Sequence, residues 1–186
     1  AQAVSIFCYG TYSGSVGAAE PEHLTACEGA GTISDVYTST ANHPDLMRDW
    51  IVFASHVLRR STLPEKDRET LILRIGWLCQ SEYEWAQHVR VGKGVGLTDI
   101  DIARIIDGPD AKGLSKTHRL LIQATDELHK DAFISDATWN ALNEIYTTEQ
   151  MMDIVFAVRE HNPVSMALNS FGVQLDEGLI GFPKNK

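Results

Sequence analysis

From residue 42 onward the chain repeats one pattern: a Ser, Thr, Asn or Pro start signal followed by apolar residues three and four positions apart. That spacing places apolar side chains on one helical face, and no stretch shows the strict alternation of a half-buried strand. The pattern predicts an all-α single-domain bundle of six or seven helices. Asn42 is placed to cap the first, with Pro44 in its first turn, and the stripe Leu46, Trp50, Phe53, Val57 and Leu58 calls for burial. A second helix opens at Thr62 to Pro64, sets Glu65, Asp67 and Glu69 near its positive end, and runs through Leu71, Ile72, Ile75 and Leu78. Thr98-x-x-Asp101, Ser115, Ser135 and Thr147-x-x-Gln150 announce further starts. Gly92, Gly94 and Gly96 are expected to break the chain before Thr98, and Pro163 to end or kink the last helix by removing a backbone donor.

At 186 residues the chain suits one folding unit. Residues 1–40 lack helical periodicity and are rich in small residues, which predicts an extended or mobile N-terminal arm ahead of a helical domain over residues 41–186. Sixteen Lys and Arg against 25 Asp and Glu leave a net charge of −9. Such a field repels phosphate backbones, so nucleic acid is not an expected partner. No apolar run is long enough to cross a bilayer as a helix, so no membrane partner is expected. Cys8, Cys27 and Cys79 form no C-x-x-C and no disulfide framework, which points to a reducing compartment. With no basic segment ahead of an apolar stretch, a cytoplasmic location is the expectation.

Chemistry concentrates in Cys79-Gln-Ser81-Glu82-Tyr83-Glu84-Trp85-Ala-Gln-His88. On a helix, Ser81, Glu84, Trp85 and His88 share one face, and a carboxylate meets an imidazole. Glu84 can then orient His88 and raise its pKa, a pairing suited to general acid–base work, with Glu69 approaching from the preceding helix. Two plainer readings stand beside this one. Ser81-x-x-Glu84 is also a capping box, and Glu84 with His88 is also an ordinary pair on a wet helix face. No grouping of histidines has metal-ligand spacing, and Glu84 with His88 supplies two ligands where a catalytic zinc takes three, so no metal and no cofactor is expected. Arg74 is placed either to neutralise a substrate carboxylate or to pair with Glu69 or Asp67. His161, beside Pro163, is a secondary site candidate for which a surface position is the plainer expectation. His23, His43, His56, His118 and His129 read as structural or solvated.

The string Asp67-Arg-Glu69-Thr-Leu-Ile-Leu-Arg74-Ile-Gly-Trp77-Leu-Cys-Gln-Ser81-Glu-Tyr83-Glu84-Trp85-Ala-Gln-His88 resembles the carboxymuconolactone decarboxylase family, within the alkylhydroperoxidase-D-like superfamily. Asn42-His-Pro-Asp-Leu-Met, Asp126-Glu-Leu-His129 and Met166-Ala-Leu-Asn169 extend the likeness over roughly residues 35–183. Redox members of the superfamily carry a Glu, a C-x-x-C pair and a His; the corresponding residues here are Glu69, Ser81, Glu84 and His88. Both redox thiols are missing, so a dithiol peroxidase cycle has no evident means of running. The resemblance therefore implies the decarboxylase-like branch: a cofactor-free lyase or isomerase acting on a small organic acid, lactone or secondary metabolite. His88, Glu84 and Glu69 are the implied catalytic group, with Ser81, Trp85, Tyr83, Arg74 and His161 around the substrate. Of the two flanking aromatic residues, Trp85 is the better placed for the pocket wall. It further implies a homo-oligomer, a trimer or hexamer, in keeping with the surplus apolar residues Met166, Leu168, Phe171, Val173 and Leu175. Three other readings stay open: a peroxidase relying on Cys79, a non-catalytic small-molecule binding or assembly protein, and a hydratase, dehydratase or cyclase of secondary metabolism that uses the same cluster. The run Gly178 to Pro183 reads as either a clasp on a neighbouring subunit or a frayed end.

Overall fold

The computed structural model describes residues 39–183. The arm expected over residues 1–40 lies almost wholly outside the described residues, as do Cys8, Cys27 and His23. Between Pro44 and Phe171 the chain forms seven α-helices: α1 Pro44–Ser55, α2 Glu65–Leu78, α3 Glu82–Gly94, α4 Asp99–Asp107, α5 Lys116–Asp131, α6 Asp136–Asn143 and α7 Thr148–Phe171. No strand occurs among the described residues, and no described helix is long and apolar enough to cross a membrane.

The four later starts fall where the sequence puts them. Thr98 with Asp101 and Thr147 with Gln150 form reciprocal capping boxes, while the hydroxyls of Ser115 and Ser135 accept from the backbone N–H groups of His118 and Thr138. Two local readings are corrected and a third, at Pro163, is narrowed. His43, not Asn42, caps α1: its ring Nδ1 accepts from the Leu46 N–H, whereas the Asn42 amide turns back to the Ser39 carbonyl. Gly92 and Gly94 lie inside α3, because Gly92 leaves room for Leu97, whose Cδ1 would sit 2.9 Å from an added Cβ. Pro163 does not end α7, which continues to a left-handed cap at Gly172.

Helix α2 is the axis of the fold, packed against α3, α4, α5 and α7, and its nine residues from Arg68 to Gly76 are all buried. Leu71 and Ile75 join one apolar cluster with Leu121, Leu128, Leu142, Met151, Ile154 and Val158. Leu73 joins another with Trp85, Leu97, Ile102, Ile105 and Ile122. A helix enclosed on every side must pair each charge it carries inward. Arg74 does so through a fork: Nε and Nη2 donate to the two Asp126 carboxylate oxygens at 2.6 and 2.8 Å, and Nη1 donates to the Ile105 and Ile106 carbonyls, each at 2.9 Å. Gly108 ends α4 at φ 95°, with Arg74 Nη2 only 3.2 Å from the point a Cβ would occupy. The guanidinium is thereby committed to Asp126 rather than to Glu69, Asp67 or a substrate carboxylate.

Glu127 ties α5 to α6. Its carboxylate accepts from the Ser135 N–H at 2.8 Å, the Thr138 hydroxyl at 2.7 Å, the Ser135 hydroxyl at 3.0 Å and the Gln123 amide at 3.1 Å. Burial alone would raise its pKa, but these donors outweigh burial and hold it below the ordinary value. A lowered folded-state pKa means stabilisation that is present above the unfolded-state value and is lost as pH falls through the folded one. Glu127→Gln is therefore expected to cost about 1–2 kcal/mol at pH 7, and less in acid, in urea melts run across the pH range.

The C-terminal run folds back on its own chain. Phe182 stacks edge-on against Trp77 and packs on Trp85, with ring centroids 5.1 and 5.8 Å apart, and its N–H donates to Glu82. The expected burial of the α1 stripe holds only in part: Val57 is buried, but Leu46 is 58% exposed and Phe53 38%. Phe53 meets Phe156 of α7 edge to face, and Met166 and Phe171 of α7 are each 61% exposed. Among the described residues no element covers Leu46, Met166 or Phe171, so an amphipathic stripe is left facing outward.

Candidate active site

Helices α2, α3 and α7 each deliver part of one buried cluster. Glu69 comes from the enclosed middle of α2, Glu84 and His88 from successive turns of α3, and His161 from α7, two residues before Pro163. All four are at least nine-tenths buried. His88 Nδ1 is 2.7 Å from Glu69 Oε2 and donates to it, while Arg68 Nε reaches the other Glu69 oxygen at 3.3 Å. On its far side, His88 Nε2 faces Glu84 Oε1 at 3.4 Å. His161 Nδ1 donates to the Ala157 carbonyl at 2.8 Å, and its Nε2 faces the same Glu84 oxygen at 3.8 Å. The two imidazoles meet edge to face with centroids 5.1 Å apart. Glu84 Oε1, though close to both rings, makes no hydrogen bond.

Electrostatics separate the members of this cluster. Burial pushes the Glu69 carboxyl upward, but the charge and hydrogen bond of His88, aided by Arg68, overcome it and hold Glu69 below its ordinary pKa. Burial disfavours His88 as a cation, yet Glu69 and Glu84 outweigh that and raise it. Glu84 is pushed up to about 7, first by burial and then by the neighbouring Glu69 and Glu160, against the pull of His88. His161 is held neutral, its pKa lowered to about 3 by burial and by the charge on His88. One carboxylate is thus ionised and anchoring, while the other shares a proton economy with an imidazole near neutrality.

Both plain readings of the motif fail on geometry. Ser81 is the N-cap residue of α3, but its hydroxyl makes no capping bond; it is buried without a hydrogen-bond partner, and Glu84 turns inward to the histidines. Neither Glu84 nor His88 is on a wet face, and His161 is not at the surface.

Other expected neighbours lie elsewhere. Trp85 packs with Trp77 and Phe182 in the apolar cluster on the other side of α3, because one residue's turn from Glu84 rotates it by about 100°. The Tyr83 hydroxyl donates to Asp176 and accepts from Gln87, which also bonds Asp176. Cys79 ends α2 half-buried with its thiol pKa raised, chiefly by burial and then by Glu84, which disfavours the thiolate. The sequence reading passed over Arg68 and Glu160. Glu160 is buried, accepts from the Trp50 indole N–H at 2.6 Å, and has its pKa raised by burial against that bond. Its signal was a carboxylate directly before His161, on a helix whose Ile154, Ala157, Val158 and Leu168 are buried.

Residues 44–127, which include α2, α3 and three of the four cluster residues, match the model of the carboxymuconolactone decarboxylase family. Among curated proteins, none matches the chain. Solved structures with the same fold include a protein of unknown function from Agrobacterium tumefaciens, described as a candidate antioxidant defence protein AhpD. It is 17% identical with a TM-score of 0.69, covering 74% of this chain and 94% of that one. The alkylhydroperoxidase AhpD core of an uncharacterized peroxidase-related protein from Ralstonia eutropha is 16% identical with a TM-score of 0.73, covering 83% of each chain. An uncharacterized peroxidase-related protein from Silicibacter is 13% identical with a TM-score of 0.74, covering 86% of this chain and 88% of that one. At such identities the likeness establishes an alkylhydroperoxidase-D-like, all-α fold. The family hosts both decarboxylase and peroxidase-related members, and the chemistry has to be argued from the site.

Proposed function

We propose that the protein is a lyase or isomerase that moves protons on a small, largely apolar organic molecule, with His88 and Glu84 as the acid–base pair. The observation that carries this reading is the buried Glu69–His88–Glu84 row, in which one carboxylate fixes the imidazole and the other faces its free nitrogen. His88 Nε2 and Glu84 Oε1 can hold one proton between them, so one accepts from the substrate while the other donates. In a decarboxylation, carbon dioxide leaves with its bond electrons remaining on the substrate carbon, and the pair delivers the proton that carbon takes up. In a dehydration or double-bond shift the pair removes a proton at one atom and returns one at another. Arg68 offsets the charge on Glu69 without touching His88.

An apolar hollow of about 240 Å³ between α1 and α7 supports a nonpolar substrate body. Leu46, Met47, Val164, Leu168 and Phe171 line it together with Trp50, whose indole N–H is held by Glu160 next to His161. The absence of a paired cysteine beside Cys79 among the described residues, and the raised pKa of its thiol, weigh against peroxide chemistry.

The test is a mass-spectrometric screen of small lactones, unsaturated acids and allylic alcohols against wild type, Glu84→Gln and Cys79→Ser. Turnover lost in Glu84→Gln and kept in Cys79→Ser supports the reading. Peroxide reduction that depends on Cys79 removes it, and ligand binding with no turnover at all leaves a binding protein in its place.

The exposed α1–α7 face and the hollow beside it also lead us to propose a homo-oligomer, a trimer or hexamer, in which a neighbour covers Leu46, Phe53, Met166 and Phe171. Light scattering at micromolar concentration is expected to give a mass of three or more chains. Met166→Glu should lower it, and a wild-type monomer would contradict the proposal.

A further inference from the structure

Glu84, His88 and His161 have a geometry that proton transfer does not require. One ligand atom from each of the three residues falls within 4.8 Å of the other two, and all three side chains are buried. His161 comes from α7, 77 positions beyond Glu84, so no spacing rule connects it to the α3 pair. Both rings have their Nδ1 fixed from behind, His88 by the Glu69 carboxylate at 2.7 Å and His161 by the Ala157 carbonyl at 2.8 Å. Both rings turn Nε2 toward Glu84 Oε1, a buried oxygen with no hydrogen-bond donor of its own. An imidazole whose Nδ1–H is bonded to a carboxylate or carbonyl presents the Nε2 lone pair forward, which is how proteins orient metal-binding histidines.

From these contacts we propose that Glu84, His88 and His161 form a binding site for a divalent transition ion of the zinc type. Two nitrogens and one carboxylate oxygen are a donor set this class of ion takes readily, leaving a fourth position for water or a ligand. With metal–ligand bonds of about 2.0–2.2 Å, tetrahedral ligands stand roughly 3.3–3.5 Å apart. The His88–Glu84 separation of 3.4 Å already meets that, and the His161–Glu84 separation of 3.8 Å closes by a few tenths of an ångström. Harder ions such as magnesium prefer oxygen ligands and are poorly served here.

The inference does not rest on the acid–base reading. An ion would occupy the same Nε2 and Oε1 atoms that the shared proton uses, so on that reading the chelated protein is the active form and the loaded protein is blocked.

The experiment uses the full chain, stripped with chelator, exchanged into metal-free buffer and titrated with Co²⁺ as a spectroscopic stand-in for Zn²⁺. One equivalent should bind per chain, with the visible d–d bands of a four- or five-coordinate site, and Zn²⁺ should bleach them. His161→Gln and Glu84→Gln should lose the bands, and Glu69→Gln should weaken binding by about 10–100-fold through loss of the support behind His88. Far-ultraviolet circular dichroism identifies any variant that fails to fold, and with two independent ligand substitutions one failure leaves the other to decide. Absence of bands in wild type, or bands that survive both ligand substitutions, overturns the site and leaves the acid–base reading intact. Turnover seen only in the loaded protein keeps the site and overturns the acid–base reading instead.

Discussion

Replacing His88 with glutamine is expected to lower the turnover of any substrate found for the wild type by about 10²–10⁴-fold, the range that a positioned general acid or base contributes. Glutamine keeps a donor near the Glu69 carboxylate but cannot exchange a proton at the Nε2 position. Glu84→Gln should fall in the same range, and the double substitution should cost little more than either alone, since the two groups act as one unit. Glu69→Gln tests something else. Glu69 reaches no open position; it fixes the ring and favours its cationic form. Its loss should lower kcat by a smaller factor and move the pH profile toward acid, because His88 then gives up its proton more easily. In the wild type the pair titrates as a unit, and with Glu84 raised to about 7 the rate should inflect near neutrality. That inflection should vanish in Glu84→Gln. A rate in His88→Gln within twofold of wild type, in a protein with unchanged circular dichroism, would end the proposal.

The sequence revealed some of this arrangement and not the rest for a physical reason. Helix starts rest on local chemistry, a hydroxyl reaching a backbone N–H three residues on, and Thr98, Ser115, Ser135 and Thr147 are legible for that reason. The i,i+4 relation of Glu84 and His88 is equally local. His161 is different: only the packing of α7 across α2 and α3 brings it to Glu84, and a lone histidine beside a proline carries no periodic mark. Local readings also failed where tertiary contacts won. Ser81 and Glu84 have the spacing of a capping box, yet the buried histidines attract the carboxylate inward and the cap goes unmade. Trp85 sits beside Glu84 in sequence and packs on Trp77 and Phe182 instead. The exposed stripe of α1 is the converse case: its periodicity is correct for a helix, but no element among the described residues covers all of it.

Arg74→Met should destabilise the fold by about 3–5 kcal/mol, the usual consequence of removing one partner of a buried ion pair. Both partners' surroundings argue for that size. The arginine side chain is 9% exposed, and its Nη1 donates to two buried carbonyls, those of Ile105 and Ile106. Methionine fills similar volume but leaves Asp126 charged and both carbonyls unmatched, each a separate desolvation cost. Asp126 is 29% exposed, so water relieves part of its share, and Asp126→Asn should cost less than the arginine change. Pairing Arg74→Met with Asp126→Leu should recover only part of the loss, since the carbonyls on α4 still lack a donor. Measured by urea denaturation, the double-mutant cycle should give a coupling smaller than the single arginine loss. With stabilities of roughly 5–15 kcal/mol for domains in general, Arg74→Met is expected to bring this one close to unfolding at 37 °C. Its KM per folded molecule should stay near wild type. A stable variant with a greatly raised KM for an acidic substrate would instead make Arg74 a substrate ligand, contrary to its position between α2, α4 and α5.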